Sequence, residues 1–140
     1  MGATAFFAYP SSNGTVRDAI ERAVELSAEE DLALKPWESM RILGFKIDDL
    51  IRHQIDEVDL LVADLTFPNH NVLYEIGYAI GVGKPVLPTL NTSIDKAVQH
   101  VQDIGLFDTM GWLPYDNGDM LSSGLRQWND IGWKNLYDKK

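Results

Sequence analysis

A three-layer α/β sandwich around a five-stranded, mainly parallel sheet follows from three observations on the sequence. Strand-like and helix-like segments alternate from one end to the other, one central segment is apolar without a break, and turn residues mark each change of pattern. The chain has 140 residues, 45% of them hydrophobic, which suits one domain over 1–140 with one sizeable core.

The strand at 4–9 is rich in β-forming aromatics and stops at Pro10. Ser11, Ser12, Asn13 and Gly14 then form a turn. Thr15 is placed to cap a helix whose apolar residues Val16, Ala19, Ile20, Ala23, Val24 and Leu26 recur near the helical period. A short strand at 32–34 precedes Pro36 and Trp37, and a helix from about residue 44 carries Ile47, Leu50, Ile51 and Ile55 as its apolar stripe. The strand at 58–65 contains Leu60, Leu61, Val62 and Ala63 in an unbroken run, as burial on both faces requires, so it belongs at the centre of the sheet. A loop at 66–71 leads to a helix over 71–82, and a turn at Gly83, Lys84 and Pro85 leads to a strand at 86–89. A helix over 94–101, a strand over 110–115 and a helix over 120–128 complete the alternation. Such a pattern suits a flavodoxin/Rossmann-like sheet in the order 2-1-3-4-5.

The net charge of −9, from 21 acidic and 12 basic residues, repels nucleic-acid backbones and anionic membranes, so the expected partner is a small molecule and neither a polynucleotide nor a membrane. No apolar run reaches the roughly 20 residues of a membrane span, and no basic segment precedes an apolar core at the N-terminus, so a cytoplasmic location is expected. The absence of cysteine excludes disulfides and thiolate catalysis. His53, His70 and His100 share no metal-ligand spacing, and neither a metal nor a cofactor is expected.

Open parallel sheets bind ligands beyond the carboxyl ends of their strands, near the point where strand order reverses; here that means the loops after the first and third strands. The first loop offers Tyr9, Ser11, Ser12, Asn13 and Gly14 at the mouth of a helix. That set suits a phosphate or carboxylate, or simply a turn with Ser and Asn as caps. In the second, Asp64 ends the buried strand, Thr66, Asn69 and Asn71 follow, and Glu75 falls in the first turns of the helix. Asn71, Glu75 and Tyr78 share a face at helical spacing, while Val72, Ile76 and Ile80 are expected to pack on the sheet. A carboxylate near a helix N-terminus is held ionised and oriented, as a nucleophile or oxocarbenium stabiliser must be, and Asp64 is placed to assist a leaving base. The structural alternatives are a loop-capping Asp64 and a Glu75 that satisfies the helix dipole. Trp37 can stack on a base or rim the core, His70 is a loop histidine, and Trp112, Trp128 and Trp133 are packing or interface candidates.

Asp59-Leu-Leu-Val-Ala-Asp-Leu-Thr66, Asn69-His-Asn-Val-Leu-Tyr-Glu-Ile-Gly-Tyr-Ala79 and Gly83-Lys-Pro-Val86 together resemble the nucleoside 2-deoxyribosyltransferase-like family, over roughly residues 9–88. A more distant similarity runs to the Toll/interleukin-receptor-like NAD hydrolases, which carry a glutamate on a comparable helix. The resemblance implies Glu75 as the nucleophile that holds the sugar, Asp64 as the group assisting the leaving base, and Tyr9 as the residue orienting the glutamate. For NAD, whose cationic nicotinamide needs little acid help, Asp64 would bind ribose hydroxyls instead. Ser11, Ser12, Asn13, Gly14, Trp37, Thr66, Asn69 and Asn71 are the substrate-binding candidates. His70 stands where the family has proline, and Thr66, Phe67 and Pro68 stand where transferases have an Asp- or Ser-rich loop with glycine, so the substrate stays open between nucleoside, nucleotide and NAD. The implied activity is cleavage or transfer at an N-glycosidic bond. The alternative is a non-catalytic nucleotide-sensing or interaction domain of a larger signalling or defence protein. At least a dimer is expected, because a small α/β domain leaves its pocket open and relatives complete theirs with a neighbouring subunit.

Overall fold

The computed structural model describes residues 2–10, 13–29, 31–36, 47–104 and 111–130. Along them run β1 (Ala3–Ala8), α1 (Gly14–Leu26), β2 (Leu32–Pro36), α2 (Ile47–Glu57), β3 (Leu60–Asp64), α3 (His70–Gly81), β4 (Val86–Asn91), α4 (Ala97–Ile104), β5 (Leu113–Tyr115) and α5 (Gly118–Asp130). The sheet has the order β2-β1-β3-β4-β5 with every pairing parallel, as the alternation predicts. Ala8 pairs with Ala63, Asp64 with Thr89 and Asn91 with Tyr115, so four strands end along one carboxyl edge.

Side chains of a strand alternate between faces, and that alternation divides the core in two. Ala5, Phe7, Tyr9, Leu60 and Val62 meet Val16, Ala19 and Ile20 of α1 and Leu121 and Leu125 of α5. Phe6, Ala8, Leu61, Ala63 and Leu65 meet Ile51 and Ile55 of α2, Val72, Ile76 and Ala79 of α3, and Ala97 and Val101 of α4. Every residue of β3 is buried, which bears out its central position.

The local differences from the sequence reading have physical reasons. Asn13, not Thr15, caps α1: its backbone is extended and its side chain accepts from Val16 N at 3.0 Å. Asn69 does the same for α3, accepting from Val72 N at 2.9 Å, so that helix starts at His70. On α3 the sheet-facing stripe runs Val72, Ile76, Ala79, and Ile80, expected to pack, is 52% exposed. Gly83, at φ 81°, takes the left-handed conformation that stops α3. α5 begins at Gly118, two residues before the expected start, because Asn117 caps it, its side chain accepting from Met120 N at 2.9 Å; at Gly118 an added Cβ would lie 2.4 Å from Arg22 Cβ of α1. Trp112 and Trp128 are half-buried, packed against the two cores; the exposed large apolar residues among the described ones are Tyr74, Ile80, Val82, Val98 and Met120. Readings that fall on residues 11, 12, 37, 44–46, 110 and 133 lie outside the described residues. Among the described residues no helix is long and apolar enough to cross a membrane.

Candidate active site

β3 is apolar until its last residue, Asp64, which is fully buried at the carboxyl edge. It follows Leu60 and Val62 in the alternation, so its side chain lies on the α1–α5 side. Its Oδ1 accepts from Thr66 N at 3.1 Å, and its Oδ2 accepts from Thr89 Oγ1 at 2.8 Å and from the Tyr115 hydroxyl at 2.7 Å. Burial raises the Asp64 pKa above the usual carboxylate range, and the donors, Tyr115 first, pull it part of the way back. Burial, and then the charge of Asp64, push the Tyr115 hydroxyl up in turn. Thr66, also fully buried, accepts from Asn91 N at 2.8 Å through Oγ1. The buried polar network thus joins β3, β4 and β5 through Asp64, Thr66, Thr89, Asn91 and Tyr115.

Glu75 presents the opposite case. It lies among Val72, Ile76 and Ala79 on the buried side of α3 and is 5% exposed. Its Oε2 is buried with no hydrogen-bond partner among the described residues. Burial alone lifts its pKa from 4.5 to about 7. It stands five residues into a helix that starts at the carboxyl edge, or roughly 7.5 Å along the axis at 1.5 Å per residue. One turn on, the Tyr78 hydroxyl donates to Asp56 Oδ1 at 2.7 Å and ties α3 to α2. Asp64 and Glu75 therefore belong to opposite faces of the same sheet edge.

The remaining expected residues separate in the same way. Tyr9 is buried on the Asp64 side, its ring edge-on to Phe7 with centroids 5.9 Å apart and an interplanar angle of 89°. Asn13 and Asn69 use their side-chain oxygens as helix caps, Thr66 serves the buried network, and Asn71 and His70 are exposed at the start of α3. Gly14 opens α1, with open space where a Cβ would lie. Ser11, Ser12 and Trp37 lie outside the described residues. The sequence reading missed Thr89, Asn91 and Tyr115. Their signal was present as polar atoms closing two otherwise apolar strands, but it needs the β3–β4–β5 register to become a site. No cluster of His, Asp or Glu among the described residues is arranged to hold a metal.

Solved structures that share this architecture include the following three. A Clostridium botulinum CMP N-glycosidase, BcmB, superposes with a TM-score of 0.63 at 17% identity, covering 89% of this chain and 98% of that one. The TIR domains of the activated Roq1 resistosome give 0.62 at 11% identity, covering 93% and 99%. The TIR domain of the Toll-related receptor TRR-2 from Hydra magnipapillata gives 0.59 at 13% identity, covering 96% and 95%. The likeness is one of fold. No protein-family model matches the chain, and no curated protein matches it in sequence.

Within this fold, the two buried carboxylates differ in what they can do. Asp64 has both oxygens committed to internal donors, whereas Glu75 keeps an oxygen that no group of the described residues uses. Leaving a buried carboxylate unpaired costs roughly 1.4 kcal/mol for each unit by which its pKa rises, so it is a feature for which folding alone gives no reason.

Proposed function

We propose that the protein cleaves or transfers across the N-glycosidic bond of a nucleoside, nucleotide or NAD, with Glu75 as the reacting carboxylate. The observation that carries this reading is the buried Oε2 of Glu75, without a partner among the described residues, on the helix that follows the central strand. In the reaction, the bond from the sugar C1′ to the base nitrogen breaks and its electron pair leaves on the base. The Glu75 carboxylate bonds to C1′ or faces its developing positive charge, and water or an acceptor then takes the sugar and frees the carboxylate. A neutral base takes up a proton as it leaves, while a pyridinium such as nicotinamide departs neutral without one. Asp64, held by three donors on the other face, serves in this reading as a positioning residue that fixes the ends of β3, β4 and β5. The fold shared with a CMP N-glycosidase is compatible with such a substrate.

Assembly into at least a dimer belongs to the same reading, and sedimentation at working concentration tests it. A second reading is a nucleotide-sensing or interaction domain, favoured by the fold shared with TIR domains of a resistosome and of a receptor. One experiment separates the two: incubation with a panel of nucleosides, nucleotides and NAD, followed by chromatography for free base. Released base supports the enzyme, and tight binding without release from any member supports the sensor.

A further inference from the structure

Beyond the β3–α3 loop, Phe67, Pro68, His100 and Asp103 line an open cleft of about 300 Å³. That volume lies at the small end of the range for ligand sites and suits a single heterocycle. Phe67 is half-buried and packed on the core, and its ring lies 5.7 Å from the His100 imidazole at an angle of 47°. His100 Nδ1 donates to Thr66 O at 2.9 Å. A carbonyl can only accept, so the neutral ring carries its proton on Nδ1 and keeps Nε2 as an acceptor. Thr66 is itself fixed by its bonds to Asp64 and Asn91, so the imidazole is oriented by the same buried network that closes the sheet edge. Asp103 stands three residues further along α4, on the same side as His100, with Oδ1 accepting from Gln99 Nε2 at 2.8 Å.

The cleft therefore combines an aromatic face with two acceptors, an imidazole nitrogen and a carboxylate. A planar heterocycle stacks on Phe67, and an exocyclic amino group offers the N–H donors that the two acceptors require. A ring bearing an oxo group at the same position would turn lone pairs toward lone pairs. We propose that the Phe67–Pro68–His100–Asp103 cleft is a nucleobase site that selects rings carrying an exocyclic amino group, of the adenine or cytosine type, over their oxo counterparts. Binding here does not depend on bond cleavage at Glu75.

The test is titration of the protein with adenosine, inosine, cytidine and uridine, followed by calorimetry and by NMR of the His100 ring. Adenosine and cytidine should bind on the order of tenfold more tightly than inosine and uridine, and should shift the His100 signals. Phe67→Ala should weaken the amino-bearing ligands on the order of tenfold or more through lost stacking. Asp103→Lys, at an exposed position that leaves the core untouched, replaces an acceptor with donors and should abolish or reverse the preference. Glu75→Gln should retain both affinity and preference, so a failure of the cleavage reading leaves this result intact. Equal binding of amino and oxo partners, binding of none of the four, or a preference that survives Asp103→Lys overturns the proposal.

Discussion

The two faces of the carboxyl edge each bury a carboxylate, and they treat it in opposite ways. On the α1–α5 face, Asp64 receives a backbone amide and two hydroxyls; on the α3 face, one Glu75 oxygen receives nothing from the described residues. The first arrangement is what folding selects, because hydrogen bonds to a charged group contribute about 1.5–3 kcal/mol each and offset part of the desolvation. The second carries an uncompensated cost of roughly 3 kcal/mol at neutral pH and above, from a pKa lifted to about 7. The contrast teaches that burial by itself does not mark a reactive carboxylate. The missing partners do.

The largest expected effect breaks the satisfied side. Asp64→Ala strands three buried donors, Thr66 N, the Thr89 hydroxyl and the Tyr115 hydroxyl, and should lower stability in urea denaturation by roughly 3–6 kcal/mol. A loss below about 1 kcal/mol would mean the network contributes little and the comparison fails on that face.

Next comes the pH dependence of Glu75. Between 4.5 and about 7 the native state holds a proton on this group that the unfolded chain has already lost, so its share of stability is fully present below pH 4.5. That share, about 3 kcal/mol, is lost as pH rises through about 7 and does not change beyond. Glu75→Gln should remove this component, which denaturation at a series of pH values will read. The same ionisation should set the acid limb of activity, with base release falling about tenfold per unit below the Glu75 pKa of about 7.

A smaller change sharpens the Asp64 side. Tyr115→Phe removes one donor and keeps the ring, costing about 1.5–3 kcal/mol in the same denaturation assay. The smallest effect concerns Asn69, which the sequence placed beside the substrate and the structure uses as the α3 cap. Asn69→Ala should cost about 1 kcal/mol, measured as a lowered Tm, with helix α3 intact by hydrogen exchange.

Much of this was legible in the sequence, for identifiable reasons. The alternation of periods specifies the parallel sheet, and the unbroken Leu60-to-Ala63 run specifies the central strand. Asp64 stood out because it ends the buried strand, Glu75 because it falls in the first turns of the helix that follows, and both because they lie in the segments that resemble the family. What one-dimensional spacing does not carry is the face each side chain takes at a strand end, or the partner supplied from a distant strand. Tyr115 is 51 residues from Asp64, and only the β3–β4–β5 register brings its hydroxyl there. The Asn13 and Asn69 side chains cap helices, an alternative the turn after the first strand already offers for Asn13, and in a sequence a cap and a binding residue look alike until the amide they accept from is known.

The most direct test of the central claim is the rate of base release per folded molecule for the wild type, Glu75→Gln and Asp64→Asn, on the substrate that the panel identifies. Losing the reacting carboxylate should lower the Glu75→Gln rate on the order of a thousandfold or more, a barrier change of several kcal/mol. Asp64→Asn should be less stable yet remain within about tenfold of wild type per folded molecule. A Glu75→Gln protein that releases base at the wild-type rate, or a folded Asp64→Asn protein that is the inactive one of the pair, would contradict the account.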